Sequence, residues 1–204
     1  MCLLFLFTAN LQAQSSLFVP RNYLKAYNNG TRGWDGKPGP KYWQNKSKYI
    51  ISATIDPKSR VLSGVETVVY TNNSPDSLKL LRIKLQHDLY RKGVQRAFDV
   101  SASDVDEGVR IEQIEWNGEK LDPKNYRRAQ TFLDIPLKDK PLPANTSGTL
   151  KVQWSYTLPA GEDAARECVC DSTTFFVAYW YPQIAVYDDL NGWATHPYTG
   201  LQEF

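Results

Sequence analysis

The 204 residues are enough for one β domain of ordinary size with a real core, plus a leader. Apolar residues at 42% and aromatics at 13% supply ample material to bury, which excludes wholesale disorder. The formal net charge of +2 comes from 24 basic and 22 acidic residues that are interspersed, so the chain lacks the basic stripe of a nucleic-acid binder and no nucleic-acid partner is expected.

Residues 1–14 open with the apolar run Cys2, Leu3, Leu4, Phe5, Leu6, Phe7 and turn small and polar through Thr8, Ala9, Asn10, Leu11, Gln12, Ala13. This is the pattern of a secretory signal peptide cut near Ala13, with a buried N-terminal strand as the alternative. No Lys or Arg precedes the run, which leaves the true start codon open. A secreted or periplasmic protein is the expectation. No other segment approaches the roughly 18 apolar residues needed to cross a bilayer, so no stable membrane span is expected.

Residues 15–47 crowd Gly30, Gly33, Gly36, Pro38, Gly39 and Pro40 together. Such a segment holds no long helix or central strand, and it reads as an extended arm laid over the surface by Tyr23, Tyr27, Trp34, Tyr42 and Trp43.

A β-sandwich domain is expected over residues 48–188. Tyr49, Ile51, Ala53 and Ile55 alternate with Ser52, Thr54 and Asp56, and Asp56-Pro57 with Lys58-Ser59 closes the run as a turn. Residues 64–71 pair back with Val65, Thr67, Val69 on one face and Glu66, Val68, Tyr70 on the other. Residues 78–89 read as a half-buried strand that carries His87, and residues 88–107 as a short helix or an irregular crossover. Strand pattern resumes at Val109, Ile111, Ile114 and Trp116, where Asn117-Gly118 marks a type I′ hairpin because both turn positions need positive φ. Residues 131–137 and 148–158 give two more strands, the latter with Leu150, Val152, Trp154, Tyr156 and Leu158 in alternation, and residues 173–186 the last. Residues 189–204 remain as a connecting segment. Eight or so short strands, regular turns and no amphipathic run of helical length predict an all-β fold, an antiparallel β-sandwich or a curved sheet closed on itself.

Chemistry is sparse. No glycine falls in phosphate-loop or dinucleotide spacing, and no Gly-x-Ser-x-Gly elbow is present. The two histidines, His87 and His196, read as a strand residue and a turn residue. Asp188-Asp189 is either an acid/base pair or, since adjacent strand residues face opposite ways, a turn whose carboxylates accept backbone N–H bonds. Cys168 and Cys170, one residue apart, read as two exposed thiols or a strained local disulfide, and as metal ligands they lack partners. Asn-x-Ser/Thr acceptors for glycosylation begin at Asn29, Asn45, Asn72 and Asn145.

The run from Phe175 through Tyr179-Trp180-Tyr181-Pro182-Gln183 to Asp188-Asp189-Leu190-Asn191-Gly192-Trp193, with Pro197-Tyr198 and residues 200–204, resembles the end of the N-terminal domain in bacterial members of the aminopeptidase N family of zinc metallopeptidases. Upstream strands agree in order, so the resemblance covers residues 49–204. It implies a saddle-like β domain over one side of a thermolysin-like catalytic domain, truncated here before that domain. The family's His-Glu-x-x-His helix and Gly-x-Met-x-Asn loop are not in this sequence: its one Met is Met1 and its two histidines are far apart. The resemblance therefore implies a fragment of a hydrolase that is inactive alone, with no metal, cofactor or catalytic residue in this chain and the zinc in the absent domain. A peptide substrate would be bound only by the full-length protein, with the catalytic domain as partner in cis. Family N-terminal domains contribute a Gln or Glu that takes the substrate's free amine. The matching position here is Tyr179, and Gln183 stands where a basic residue is usual, so Tyr179, Trp180, Tyr181 and Gln183 are the candidate substrate-amine wall or domain interface. The alternative function is a stand-alone secreted β-sandwich that binds glycan or peptide with Trp34, Trp43 and Trp193 along an exposed groove.

Overall fold

The alternation in two neighbouring runs becomes a long antiparallel hairpin of β1 (Lys46–Asp56) and β2 (Val61–Asn72), in register from Lys46 opposite Thr71 to Asp56 opposite Val61. The Asp56 carboxylate fixes its turn by accepting from Ser59 Oγ at 2.6 Å and Lys58 N at 3.0 Å, bonds that hold this carboxyl below its usual range. The computed structural model describes residues 18–160 and 166–201, so the expected signal peptide lies outside the described residues.

The remaining strands follow in chain order: β3 (Leu80–Lys84), β4 (Arg110–Trp116), β5 (Glu119–Lys120), β6 (Arg127–Ala129), β7 (Phe132–Pro136), β8 (Thr146–Thr157), β9 (Glu167–Val169), β10 (Phe175–Val177), β11 (Gln183–Ile184), β12 (Tyr187–Asp188) and β13 (Gly192–Trp193). One sheet runs β1-β2-β8-β4-β5 and a second runs β11-β3-β7-β6, with every pairing antiparallel. Buried Val68, Trp116, Leu150, Val152 and Trp154 of the first sheet share one apolar core with Leu81, Ile83, Leu133 and Ile135 of the second. The fold is all-β, with two antiparallel sheets enclosing that core.

Asn117 and Gly118 take φ of 51° and 83° between β4 and β5, the hairpin that their sequence predicts. Two strand glycines answer a different need. A Cβ on Gly148 would lie 2.1 Å from the Trp116 ring, and one on Gly64 2.7 Å from the Trp154 ring, so each glycine lets an indole cross its strand at close quarters.

Four expectations change. The arm contains helix α1 (Arg21–Asn29), closed by Gly30 at φ 74°; its nine residues fit between Pro20 and the glycine cluster. Strand character in the 78–89 run stops at Lys84, and Gln86–Tyr90 forms a 3-10 turn in which all five residues are buried, a state that alternation cannot encode. The aromatic stretch 173–186 is not one strand: β10 and β11 flank an irregular turn at residues 178–182. Residues 189–201 do not lead away from the sandwich. Tyr198 N donates to Thr131 Oγ1 at 2.7 Å, and Ala97 N to the Thr199 carbonyl at 2.9 Å, which ties the segment back.

The crossover 88–107 is irregular, with a second 3-10 turn at Ala102–Asp104. Asn72, one of the four potential glycan acceptors, is fully buried. Its amide donates to the carbonyls of Asp76, Leu142 and Pro143 at 2.7, 3.2 and 3.1 Å, clamping the loop after β2 to the loop before β8.

Candidate functional site

The candidate wall sits where the chain leaves β10 and bends toward the second sheet. Tyr179 takes φ 55°, a left-handed conformation that costs an aromatic residue energy and so needs surrounding support. That support is aromatic. Trp180 lies against Trp154, with ring centroids 6.0 Å apart, and its carbonyl accepts from Tyr156 Oη at 3.2 Å. Tyr181 meets Trp180 and Tyr49 edge-on at 5.1 and 5.4 Å. Tyr49 Oη accepts from Ile184 N at 2.9 Å, and burial pushes the Tyr49 phenol up to about 12. Trp180 and Tyr181 therefore seal the edge of the inter-sheet core.

Tyr179 turns away from them. Its ring is 5.5 Å from that of Tyr198, and its hydroxyl lies 3.4 Å from Nη1 of Arg166, whose guanidinium is 5.9 Å from the ring. A cation thus already stands at the phenol that the resemblance offers as part of a substrate-amine wall or a domain interface. Gln183 opens β11, where its backbone pairs with Lys84. Burial lowers the Lys84 ammonium below its usual range.

Beneath this wall lies a polar pair that sequence reasoning missed. His87 Nδ1 and Glu167 Oε2 are 2.5 Å apart with both side chains buried, and the imidazole stacks on Tyr156 at 3.8 Å. Burial raises the Tyr156 and Tyr90 phenols, and the neighbouring Glu167 carboxylate raises them further, so both stay neutral. Of the two states that alternation suggests for His87, solvated or hydrogen-bonded, the structure shows the second, but in the core and on a 3-10 turn instead of a strand. The adjoining cavity, lined by Gln86, Tyr90, Phe98, Glu167, Tyr179 and Tyr198 among others, measures about 10 Å³, room for one water and no ligand.

Two more carboxylates are buried, Asp88 among long-range partners and Glu66 against apolar neighbours. Asp88, fully buried, accepts from Arg128 Nε at 2.6 Å and Val109 N at 2.9 Å, and also from Arg128 Nη2. Glu66 of β2 faces the core, where its Oε2 has no hydrogen-bond partner among the described residues and burial pushes the carboxyl up to about 8.

Asp188 and Asp189 divide their work. Asp188 Oδ1 accepts from Leu190 N and Asn191 N at 3.0 and 2.7 Å, the turn role that the sequence suggests. Asp189 instead takes Arg32 Nη2 at 2.8 Å and Thr31 Oγ1 at 2.6 Å, anchoring the arm. The Arg32 guanidinium holds its carboxyl below the usual range. They form no acid/base pair.

An open groove of about 970 Å³ separates the arm from the β12–β13 hairpin, with Lys25, Asn29, Trp43, Asp76, Asn145 and Asp188 along it. Trp43 alone of the three expected tryptophans lines it. Trp34 stacks on Tyr27 at 4.0 Å, and Trp193 packs on Tyr187 and Tyr70.

No protein-family model matches the chain, and no curated protein matches it. The solved structures it resembles include M1 zinc metallopeptidases. A Deinococcus radiodurans M1 zinc metallopeptidase bound to a Tyr-Ser-Ala substrate is 15% identical, with a TM-score of 0.38 over 62% of this chain and 24% of that one. Another structure of the Deinococcus enzyme gives 15% and 0.39 over 64% and 25%. Legionella pneumophila aminopeptidase A in complex with aspartic acid is 12% identical, with a TM-score of 0.33 over 59% and 13%. The chain spans about a quarter of the length of the first of these, and likeness at this level says nothing of activity.

The described residues do not fit a zinc ion. Among the described residues no three His, Cys, Asp or Glu side chains converge as a metal site. His87 is committed to Glu167 and stacked on Tyr156, and Cys168 with Cys170 supplies only two of the four ligands that a closed zinc site needs.

Proposed function

We propose that this chain is the non-catalytic N-terminal β domain of a secreted, aminopeptidase-like zinc metallopeptidase, whose zinc and catalytic residues lie in another segment of the same polypeptide. The observation that carries the reading is the edge formed by residues 175–193. In this stretch, which resembles the end of the family's N-terminal domain, Trp180 and Tyr181 seal the core while Phe176 and Val186 are left 51% and 60% exposed. Exposed apolar groups beside a strained aromatic turn suit a face that another domain covers.

The wall's role in this reading is to pack. The Tyr179 hydroxyl already accepts from Arg166 Nη1 and its ring already faces that guanidinium, so in this reading the free amine of a peptide substrate is taken elsewhere. Tyr179, Trp180, Tyr181 and Gln183 then shape the domain interface, and amine recognition belongs to the catalytic segment. Sequencing the gene beyond the codon for Phe204 tests the proposal. An open frame that encodes His-Glu-x-x-His is expected, and a natural stop with no such frame downstream would count decisively against it.

A further inference from the structure

The Cys168–Cys170 pair is the nucleophilic cluster that the proposed function leaves unused. Cys168 lies within β9 and Cys170 one residue past its end, where the chain turns toward β10. Here the two Sγ atoms are 2.9 Å apart. The β9–β10 hairpin holds them in that relation. Cys168 is opposite Phe176 in the register, and Cys170 N donates to the Thr174 carbonyl at 2.9 Å. The Asp171 carboxylate then accepts from Thr173 N and Thr174 N, both at 2.7 Å, fixing the loop that follows Cys170. Cys168 is half-buried against Leu89 and Tyr90, whereas Cys170 is exposed.

We propose that Cys168 and Cys170 form a reversible dithiol–disulfide site that reacts with small-molecule disulfides of the glutathione class. The exposed Cys170 thiolate attacks one sulfur of oxidised glutathione, forming a protein–glutathione disulfide and releasing one glutathione thiolate. Cys168, already beside it, loses its proton to solvent and attacks Cys170 Sγ, forming the Cys168–Cys170 bond and releasing the second glutathione. The two protein thiols are oxidised by two electrons and the reagent disulfide is reduced by two. The hydrogen bond to Cys170, and then partial burial, push the Cys168 thiol above its ordinary range, so less of it is thiolate and the first attack falls to the exposed Cys170. A ring this small closes no long loop, so the bond adds little to global stability and stays open to reduction.

The sequence provides a clean readout. No Lys or Arg lies between Arg166 and Phe204, so trypsin leaves Cys168 and Cys170 together on the peptide that begins at Glu167, apart from Cys2. After treatment of the whole protein with oxidised glutathione, acid quench and digestion, mass spectrometry is expected to find this peptide lighter by two hydrogens, and a reducing agent restores it. In Cys168→Ser the same treatment should stop at a stable glutathionyl adduct on Cys170, and Cys170→Ser should react far more slowly than either. A wild-type peptide that stays reduced, keeps a glutathionyl group or links two chains would overturn the proposal. Unchanged circular dichroism in both serine variants shows that the chemistry, not the fold, is being read.

Discussion

Glu66→Gln is expected to flatten the pH dependence of stability between about pH 4.5 and pH 8. The Glu66 carboxyl has an ordinary value of 4.5 and is pushed up to about 8 by burial in the folded protein. Its folded value is raised, so its neutral form is compatible with the core at acid pH and that compatibility is lost as pH rises. Below 4.5 both the folded and unfolded chains hold the proton and no penalty exists. Between 4.5 and 8 the unfolded chain ionises while the folded one resists, and each pH unit lowers stability, until above 8 both are ionised and the penalty is complete. Over this window the wild type should lose roughly 3–5 kcal/mol through this one group, a loss the Gln variant cannot show. Urea unfolding of both proteins at half-unit steps from pH 4.5 to 8.5 measures it. Parallel curves would mean that the Glu66 carboxylate is solvated or paired, against its buried position opposite Val152 and Ile51.

Glu167→Ala should be among the most damaging single changes on the sandwich edge, costing roughly 3–5 kcal/mol, because it removes one member of a buried polar pair and strands the other. His87 has its Nδ1 on Glu167, and its Nε2 is already without a partner among the described residues, so the variant leaves an imidazole with both nitrogens unsatisfied in the core. Glu167→Gln keeps an oxygen within reach of Nδ1 and should cost only about 1–2 kcal/mol. Denaturant midpoints of the three proteins at one pH decide the point. Equal stabilities for wild type and Glu167→Ala would show that β9 contributes nothing to the core and would unmake the packing described for the wall.

These two residues mark where sequence reading runs out. Alternation tells which residues share a face, and in β1, β2 and β8 it did so from Tyr49 onward, with Asn117-Gly118 fixing a turn by its own chemistry. It does not tell which face looks inward. Glu66 shares a face with Val68 and Tyr70, and only the second sheet packed across them makes that carboxylate a core group. Buried polar residues are harder still, since their partners are distant in the chain: Glu167 lies 80 residues from His87, and Arg128 lies 40 from Asp88. Nothing local to Gln86–Tyr90 announces that all five residues are buried. The arm's helix was hidden because Pro20 and Gly30 bracket only nine residues, too few for an apolar stripe to show. Of the candidate wall, the aromatic packing of Trp180 and Tyr181 was legible in their composition. The cation beside Tyr179 was not, because Arg166 reaches it across the β9–β10 hairpin.

In the proposed function this β domain supports peptide hydrolysis carried out by another segment and does not perform it. Incubating the purified 204-residue chain with added zinc and a panel of aminoacyl reporter substrates tests that claim most directly. The expected result is no release above the buffer blank at any zinc concentration. Turnover that a chelator abolishes and zinc restores would contradict it.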